Sequence, residues 1–366
     1  MKSMFRIRLA QVAFILSWSS GWVSAEIAIR YAETPAILVL RFLLGCLFVG
    51  LFLLLRRVNW AARFGAGVLH FDRRRRGESG VLISFRRRLL YAAVIGVLSQ
   101  AVWLGAVMEA QRHGVSPGVN ALINGLQPLL TAALLPIVLG RRPGMAVVFG
   151  ILISLGGLVL VVWEELRLGA SSPAAYLIPL VSVAAMTGAV LLRRLSQESA
   201  MHSPPRREGE PDSASETASP DPDVPVDRSR ILPAVGRPPS RAFLLLVQFF
   251  ASGMVTLILF LLFGSNDVVW HPVFLVTLLW LVLVPQIASY ALLWYLVEQT
   301  SPDQASALFL ASPPTTLLLS FLMFGEPISL TSIFGSAVVL SGLYLGLRSS
   351  GAPAWRGRVA DGDGDR

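Results

Sequence analysis

Residues 116–131 read SPGVNALINGLQPLLT, and residues 301–316 read SPDQASALFLASPPTT. A shift of 185 residues places the first stretch on the second without a gap. The residues that then coincide are Ser116-Pro117 with Ser301-Pro302, Pro128 with Pro313, Thr131 with Thr316, Gly140 with Gly325, Gly150 with Gly335, Gly157 with Gly342 and Leu158 with Leu343. With one further residue of offset, Gln100 falls on Gln286. Glycines and prolines that match in one register indicate an internal repeat.

The composition around this repeat excludes a soluble protein. Of the 366 residues, 54% are apolar and 14% are charged, and the mean hydropathy is +0.64. Soluble domains carry about 25% charged residues, so an aqueous surface cannot be built over this length. Lipid therefore has to be the outer solvent.

Motifs for catalysis, metals and cofactors are absent from the sequence. Cys46 is the only cysteine, which excludes a disulfide within the chain and a cysteine metal site. The four histidines are scattered, and no HExxH, P-loop or GxSxG motif occurs. We expect no enzyme activity and no cofactor. The net charge of +9 would suggest a nucleic-acid partner for a soluble protein, but here the membrane topology explains the placement of the charge.

Ten apolar runs of about 20 residues predict ten transmembrane helices. Their predicted ranges are 9–29, 35–55, 89–109, 115–138, 144–163, 173–192, 241–263, 273–296, 303–324 and 328–347. The predicted fold class is therefore an all-α integral membrane protein.

The positions of the arginines predict the orientation of these helices. With a cytoplasmic N-terminus, 27 of the 31 Lys and Arg residues lie on the cytoplasmic side. Arg30, Arg112 and Arg167 lie outside, and Arg41 lies within a helix. This asymmetry follows the positive-inside rule. It predicts a multi-pass protein of the bacterial inner membrane with both termini in the cytoplasm.

The ten helices divide into two repeats of five. The predicted divisions are a first repeat at 9–163, a short external loop at 164–171, a second repeat at 172–347 and a cytoplasmic tail at 348–366. Because five is odd, the second repeat enters the membrane in the opposite direction. Inverted repeats around a midplane site are typical of secondary transporters, since two such halves can open the site to one side and then to the other.

Two long cytoplasmic loops stand apart from this pattern. Residues 56–88 carry Arg73, Arg74, Arg75, Arg76, Arg86, Arg87 and Arg88. These arginines either anchor the topology or attract anionic lipid headgroups. Residues 195–240 are rich in Ser, Pro, Glu and Asp without apolar periodicity, which predicts a disordered linker.

The N-terminus has one alternative interpretation. Lys2, Arg6 and Arg8 precede an apolar run that ends in VSA at 23–25, a pattern compatible with a cleavable signal peptide. The run contains WSSGW at 18–22, which is bulky and polar for a signal core. Its removal would also leave nine helices and break the repeat.

Five short stretches lie in an informative order. They are WSSG at 18–21, RFL at 41–43, GLQPLLTA at 125–132, SPPTT at 312–316 and FGE at 324–326. In this order and spacing they resemble the drug/metabolite transporter superfamily, in its EamA-like branch. The resemblance covers roughly 9–163 and 172–347. It implies ten helices in two EamA-like domains, cytoplasmic termini, and transport or export of small metabolites. One departure is Gly140-Arg141, where the family often has Gly-Glu, as at Gly325-Glu326.

Glu26 and Arg41 are ionisable residues within predicted spans, where a charge is costly and is a functional candidate by default. They lie almost symmetrically about the turn near 32–35, at similar depth, so an ion pair between them is plausible. The pair could lock the helical hairpin, or it could switch, with Glu26 binding a proton or a substrate ammonium. Snorkelling to the interface is a third interpretation.

The fourth predicted helix carries a stripe of amides. Asn120, Asn124 and Gln127 are spaced by 4 and 3 residues and share one helix face. They either hydrogen-bond neighbouring helices or line a substrate pathway, because Pro128 follows and frees backbone carbonyls near mid-membrane. The equivalent place in the ninth helix holds Pro313, Pro314, Thr315 and Thr316. The coincidence of the two proline breaks points to a central site.

Aromatic and amide side chains form further candidate faces. They are Gln100 and Trp103 on the third helix, Gln286, Tyr290 and Trp294 on the eighth, and Trp18 on the first. These faces suit an amphipathic organic substrate and equally suit packing. The repeated glycines are explained by close helix approach. Glu109, Glu298 and Glu326 fit interfacial or capping positions.

The sequence therefore predicts a secondary transporter that exports small metabolites such as amino acids or related compounds. Two other classes remain open. A membrane enzyme would need a converging His, Asp or Ser constellation at membrane depth, and a sensor or scaffold would act through the cytoplasmic loops. The oligomeric state is also open, a homodimer included.

Overall fold

The computed structural model describes residues 2–55, 79–140, 142–169, 171–201, 241–265, 267–299, 308–325 and 329–349. The described residues are mostly helical. The α-helices are α1 (Lys2–Ala28), α2 (Thr34–Leu55), α3 (Ser79–Gly96), α4 (Trp103–Arg112), α5 (Pro117–Gly125), α6 (Gln127–Val138), α7 (Met145–Arg167), α8 (Ile178–Met201), α9 (Arg241–Phe263), α10 (Pro272–Leu281), α11 (Ser289–Gln299), α12 (Ser312–Phe324) and α13 (Leu330–Ser349). Between them lie π-helical segments at Val97–Val102 and Val282–Ala288 and a 3-10 helix at Pro173–Leu177.

Eight helical segments of the described chain are long and apolar enough to cross a membrane. They are Thr34–Leu55, Arg86–Arg112, Pro117–Val138, Met145–Arg167, Pro173–Ser196, Ala242–Phe263, Pro272–Val297 and Leu330–Arg348. Their outer faces expose large apolar side chains such as Leu261, Phe263 and Leu330. Such surfaces are tolerated where lipid replaces water. The chain is therefore a multi-pass helical membrane protein.

Two helices of the predicted ten fall outside these eight. Leu308–Phe324 is apolar but shorter, and α1 carries a serine-rich middle. The α1 serines bind neighbouring helices: the Ser17 hydroxyl lies 2.8 Å from that of Ser289, and Ser19 donates to the backbone oxygen of Ser312 at 3.3 Å. Serines that are paired inside the bundle lower the mean hydropathy of α1.

Several predicted boundaries need correction. Residues 79–88 of the predicted loop 56–88 are helical, because α3 begins at Ser79 and carries Arg86–Arg88. Residues 195–201 of the predicted linker 195–240 are also helical, since α8 continues through Met201. A helix satisfies its own backbone hydrogen bonds, so it can extend beyond the lipid with polar residues that an apolar-run criterion omits. Other predicted features lie outside the described residues: Arg73–Arg76, Ser301-Pro302, Glu326, the 202–240 part of the linker and the tail after 349.

Helices α7 and α13 cross in close contact through their glycines. A Cβ atom added to Gly150 would lie 2.6 Å from the carbonyl oxygen of Gly342, and one added to Gly157 would lie 2.6 Å from that of Gly335. The backbones therefore touch directly, as small residues permit in membranes. The expectation of close approach is confirmed at these four positions, whereas a Cβ on Gly156 would meet nothing within 4 Å.

The remaining apolar core forms two main clusters. One packs α2 against α9 and α10 through Phe42, Phe249 and Phe274. The other surrounds α5 to α8 and α13 and includes Leu129 and Leu343. Between them, α1 packs against α11 and α12. Helices α1, α5 and α12 therefore contact one another, and α6 follows α5 directly in the chain.

Candidate functional site

A cavity of about 250 Å³ lies where two interrupted helices meet. Residues at the junction of α5 and α6 form what we call the first wall: Asn124, Gly125, Gln127 and Pro128. Residues at the start of α12 form the second wall: Phe309, Leu310, Ser312 and Pro313. Each residue of the first wall lies 185 positions before its counterpart in the second.

Prolines explain both helix interruptions. The helical pattern is broken at Leu126 and at Ala311, whose N–H groups donate to carbonyls three residues earlier, at 3.1 and 3.2 Å. Proline has no N–H, and its ring crowds the carbonyl four residues before it. Pro128 and Pro313 each lie two residues after the break, so the regular α-helix cannot pass through these positions. The two predicted single helices 115–138 and 303–324 are each interrupted for this reason.

Aromatic rings line one end of the cavity. Trp18 stacks on Trp103 with ring centroids 6.1 Å apart, and it contacts Phe309 and Tyr290 edge-on at 5.2 and 6.2 Å. Trp22 contacts Trp103 edge-on at 6.0 Å. We call these five residues the aromatic cluster. Both tryptophans of α1, together with Trp103 and Tyr290, line this cavity and also a second one, so the cluster stands between the two.

The second cavity is smaller, about 40 Å³, and contains a buried arginine. The Arg41 side chain is 5% exposed, and its Nε donates to Gln286 Oε1 at 2.6 Å. Gln286 lies in the π-helical segment Val282–Ala288, next to Pro285. Single-turn π-segments occur frequently at functional sites because they change the direction in which side chains point.

The predicted ion pair between Glu26 and Arg41 is not formed. Glu26 instead pairs with Arg30, four residues later in the chain, at 3.5 Å. Arg41 donates a hydrogen bond to Gln286. Symmetry about the α1–α2 turn sets the depth of a residue, but it does not set the direction in which its helix presents it. Arg41 faces the second cavity, whereas Glu26 lines neither cavity among the described residues.

The two predicted glutamines occupy matching π-helical segments. Gln100 lies in Val97–Val102 and Gln286 in Val282–Ala288, and both side chains are buried. The Tyr290 side chain lies close to that of Gln100. Within the described residues, the Nε2 atoms of both glutamines lack a partner. The sequence indicated the pairing of these residues but not the π-helical geometry, which depends on the packing of the helices.

The amide stripe divides between the cavity and the bundle interior. Asn124 accepts hydrogen bonds from Trp103 Nε1 at 2.9 Å and from Ser182 Oγ at 2.7 Å, so it fixes two neighbouring helices while it lines the cavity. Asn120 is fully buried and donates to the Val107 carbonyl at 2.8 Å. Thus Asn120 serves packing, and both interpretations of the stripe have a place in the structure.

Of the other predicted residues, some line the cavity and others do not. Gln127 lines the cavity and donates to Thr131 at 2.9 Å. In the second half, Pro314 is exposed away from the cavity, Thr315 donates back to its own helix and Thr316 is buried. The side chain of Trp294 lies outside what the structure describes.

A buried carboxylate is the clearest feature that sequence reasoning missed. Glu165 is 9% exposed, and its two oxygens accept hydrogen bonds from Ser116 and from the Tyr176 hydroxyl, the latter at 2.8 Å. It ties the ends of α5, α7 and the 3-10 helix together. The prediction placed it in an external loop, and the only available signal was a pair of acids at the end of an apolar run.

The cavity-lining residues that sequence reasoning missed include Arg193, Gln248, Phe309 and Ser312. Phe309 and Ser312 could have been found, because the repeat places them on Asn124 and Gln127.

Comparisons with known proteins agree with this membrane architecture. The family model described as the EamA-like transporter family matches residues 7–163 and 235–348, well over half of the chain. A solved structure, described only as the crystal structure of a protein, is similar over 94% of this chain and 97% of that chain, with 17% sequence identity and a TM-score of 0.50. At this identity the likeness concerns the fold alone. A search of curated proteins found no match. The chain is a multi-pass membrane protein that belongs to the EamA-like transporter family.

Proposed function

We propose that this chain is a secondary transporter that exports small organic solutes across the bacterial inner membrane by alternating access. The observation that carries the proposal is the cavity whose two walls come from helix interruptions 185 residues apart. Discontinuous helices form the central sites of many transporters. A concave site with aromatic rings and a few fixed amides suits an amphipathic solute.

Ten spans in two inverted repeats belong to the same proposal, with Lys2–Ala28 and Leu308–Phe324 as the first and ninth spans. The contacts between α7 and α13 support it. Under the 185-residue shift, Gly150 corresponds to Gly335 and Gly157 to Gly342. The observed close contacts exchange these partners, Gly150 with Gly342 and Gly157 with Gly335. Such reciprocity is what a two-fold relation between two halves requires.

Two further pairs of positions support the repeat. Ser154 Oγ donates to the carbonyl oxygen of Val339 at 3.1 Å. Val339 lies 185 positions after Ser154, so this contact joins a position to its own counterpart in the repeat, as expected close to a two-fold axis. Gly140 and Gly325 both end a helix with positive φ, +70° and +68°, the left-handed conformation that glycine adopts most readily.

The predicted topology supports the proposed direction, export. Cytoplasmic termini place Arg193 and Gln248, at the end of α8 and the start of α9, on the cytoplasmic side. Both line the 250 Å³ cavity, so this cavity would load from the cytoplasm. The smaller cavity, with Ala25 and Met108, would then lie toward the outside. Solute loaded from the larger cavity and released beyond the aromatic cluster is exported.

Uptake by reconstituted liposomes tests the proposal. Pools of amino acids, nucleobases and sugars would be presented with and without a pH gradient, and we expect wild type to accumulate at least one class. Gln127→Leu should reduce that uptake about tenfold, because it removes a polar group from the first wall.

Ser341→Ala provides a matched control, since this exposed serine bonds only to its own helix, at Ala337. Uptake that is equal in all three proteins would move the site elsewhere. No uptake of any class by folded protein would reject transport and favour the scaffold or enzyme interpretation.

A further inference from the structure

Among the described residues, no protein anion pairs with the cation of the smaller cavity. Arg41 is buried beside the cavity, and its one hydrogen bond in the described structure goes to the neutral amide oxygen of Gln286. None of the ion pairs found among the described residues includes Arg41. Tyr290, whose side chain is a phenol, lines the same cavity.

The lining of the two cavities is positively charged as a whole. Arg41 and Arg193 are the charged residues that line them, and no aspartate or glutamate of the described chain does so. A buried charge without a counter-ion is expensive, and charged residues at membrane depth usually mark substrate pathways. The cavity therefore disfavours cations and favours an anionic group.

The geometry of Arg41 selects the kind of anion. A guanidinium has five N–H donors in a planar fork, and Gln286 occupies the one on Nε. The four donors on Nη1 and Nη2 remain, and this end of the fork matches the two oxygens of a carboxylate. A cavity of about 40 Å³ holds only a small group, while the aromatic cluster and the larger cavity give space for an apolar body.

We propose that the solute is an organic monocarboxylate whose carboxylate pairs with Arg41 and whose apolar, preferably aromatic, body lies against Trp18, Trp103 and Tyr290. This proposal rests on the proposed transport function, because it names the substrate class of the same site. A solute ammonium group is not required, because no acidic side chain of the described lining would receive it.

Binding to purified protein tests this assignment independently of transport. Isothermal titration calorimetry would compare 3-phenylpropanoate with its neutral amide, 3-phenylpropanamide, and with the cation 2-phenylethylammonium. We expect wild type to bind the carboxylate at least tenfold more tightly than the amide, and the cation most weakly. Equal affinity for acid and amide, or preference for the cation, would overturn the proposal.

Arg41 variants locate the anion. Arg41→Gln should remove the preference for acid over amide while amide binding persists, and Arg41→Lys should retain part of it. Arg87→Gln is the matched control, because Arg87 is exposed on α3 and bonds only Tyr91. If Arg41→Gln fails to fold, the wild-type ligand series and Arg41→Lys still decide. An unchanged preference in a folded Arg41→Gln protein would overturn the proposal.

The two proposals can fail separately. Gln127-dependent uptake of a solute without a carboxylate preference would reject the substrate class and keep transport. Arg41-dependent binding of 3-phenylpropanoate without any uptake would keep the anion site and reject transport.

Discussion

The two walls of the cavity share a backbone plan and differ in chemistry. Both place a proline two residues after a helix interruption, 185 residues apart. Asn124 on the first wall corresponds to Phe309 on the second, and Gln127 corresponds to Ser312. The similar backbones create the cavity between the two halves, whereas the unlike side chains give it a polar side and an apolar side. A solute with one polar and one apolar part would therefore bind in a single orientation.

The largest expected effect comes from disrupting the close glycine contact between helices α7 and α13. In Gly157→Val, the added Cβ would lie 2.6 Å from the Gly335 oxygen. Because the two nearest groups, the Gly335 oxygen and the Val339 N–H at 2.7 Å, belong to the backbone and cannot move aside easily, we expect a loss of about 3 kcal/mol in unfolding free energy. Thermal unfolding in detergent measures it. Gly156→Val is the control on the same helix, since its Cβ meets nothing within 4 Å. Equal melting temperatures for the two variants would contradict the direct crossing.

Asn124→Leu should have the next largest effect, because it removes the polar side of the first wall. It leaves Trp103 Nε1 and Ser182 Oγ without their shared acceptor. An unsatisfied buried donor costs about 1–3 kcal/mol, so we expect a fall of about 2 kcal/mol in stability together with a large loss of uptake. Denaturant unfolding and liposome uptake would be measured on one preparation. Full stability would show that the amide network is not structural.

Phe309→Leu introduces leucine at the counterpart position on the second wall and should lower the stability less than Asn124→Leu. Phe309 contacts Trp18 and Phe14 edge-on at 5.2 Å each, and such pairs contribute about 0.5–1.5 kcal/mol beyond burial. We expect a loss of about 1 kcal/mol in unfolding free energy, less than for Asn124→Leu, and an affinity for aromatic solutes reduced about fivefold. Calorimetric titration with 3-phenylpropanoate gives the ratio. Equal effects of leucine on the two walls would remove the distinction between them.

The smallest effect is expected outside both walls, at the α1–α2 turn. The backbone N–H and the hydroxyl of Ser265 donate to the Glu33 carboxylate at 3.0 and 2.9 Å and lower its pKa. A carboxylate with a lowered pKa stabilises the fold above its ordinary pKa, and this stability is lost as the pH falls through the lowered value. Glu33→Gln should flatten that acid dependence of the melting temperature and leave uptake unchanged. Changed uptake at neutral pH would extend the site to this turn.

Much of the fold follows from the chain as a linear pattern. The predicted range 35–55 was found as Thr34–Leu55, and 241–263 as Arg241–Phe263, because the thickness of the lipid core sets the length of an apolar run. The prolines at 128 and 313 marked the two interruptions, because proline lacks the N–H that would continue the backbone hydrogen bonds of the preceding helix and its ring crowds the carbonyl four residues earlier. Membrane class and the two breaks are thus local properties of the sequence.

The partners of individual side chains belong to the tertiary structure. Arg41 and Glu26 were predicted to lie at similar depth and to pair, yet Arg41 binds Gln286 and Glu26 pairs with Arg30. Likewise, nothing local indicated that Glu165 would be enclosed by Ser116 and Tyr176. Depth in the membrane follows from position along one helix, but the direction in which a side chain points depends on how each helix is rotated against its neighbours. That rotation is set by packing between residues far apart in the chain.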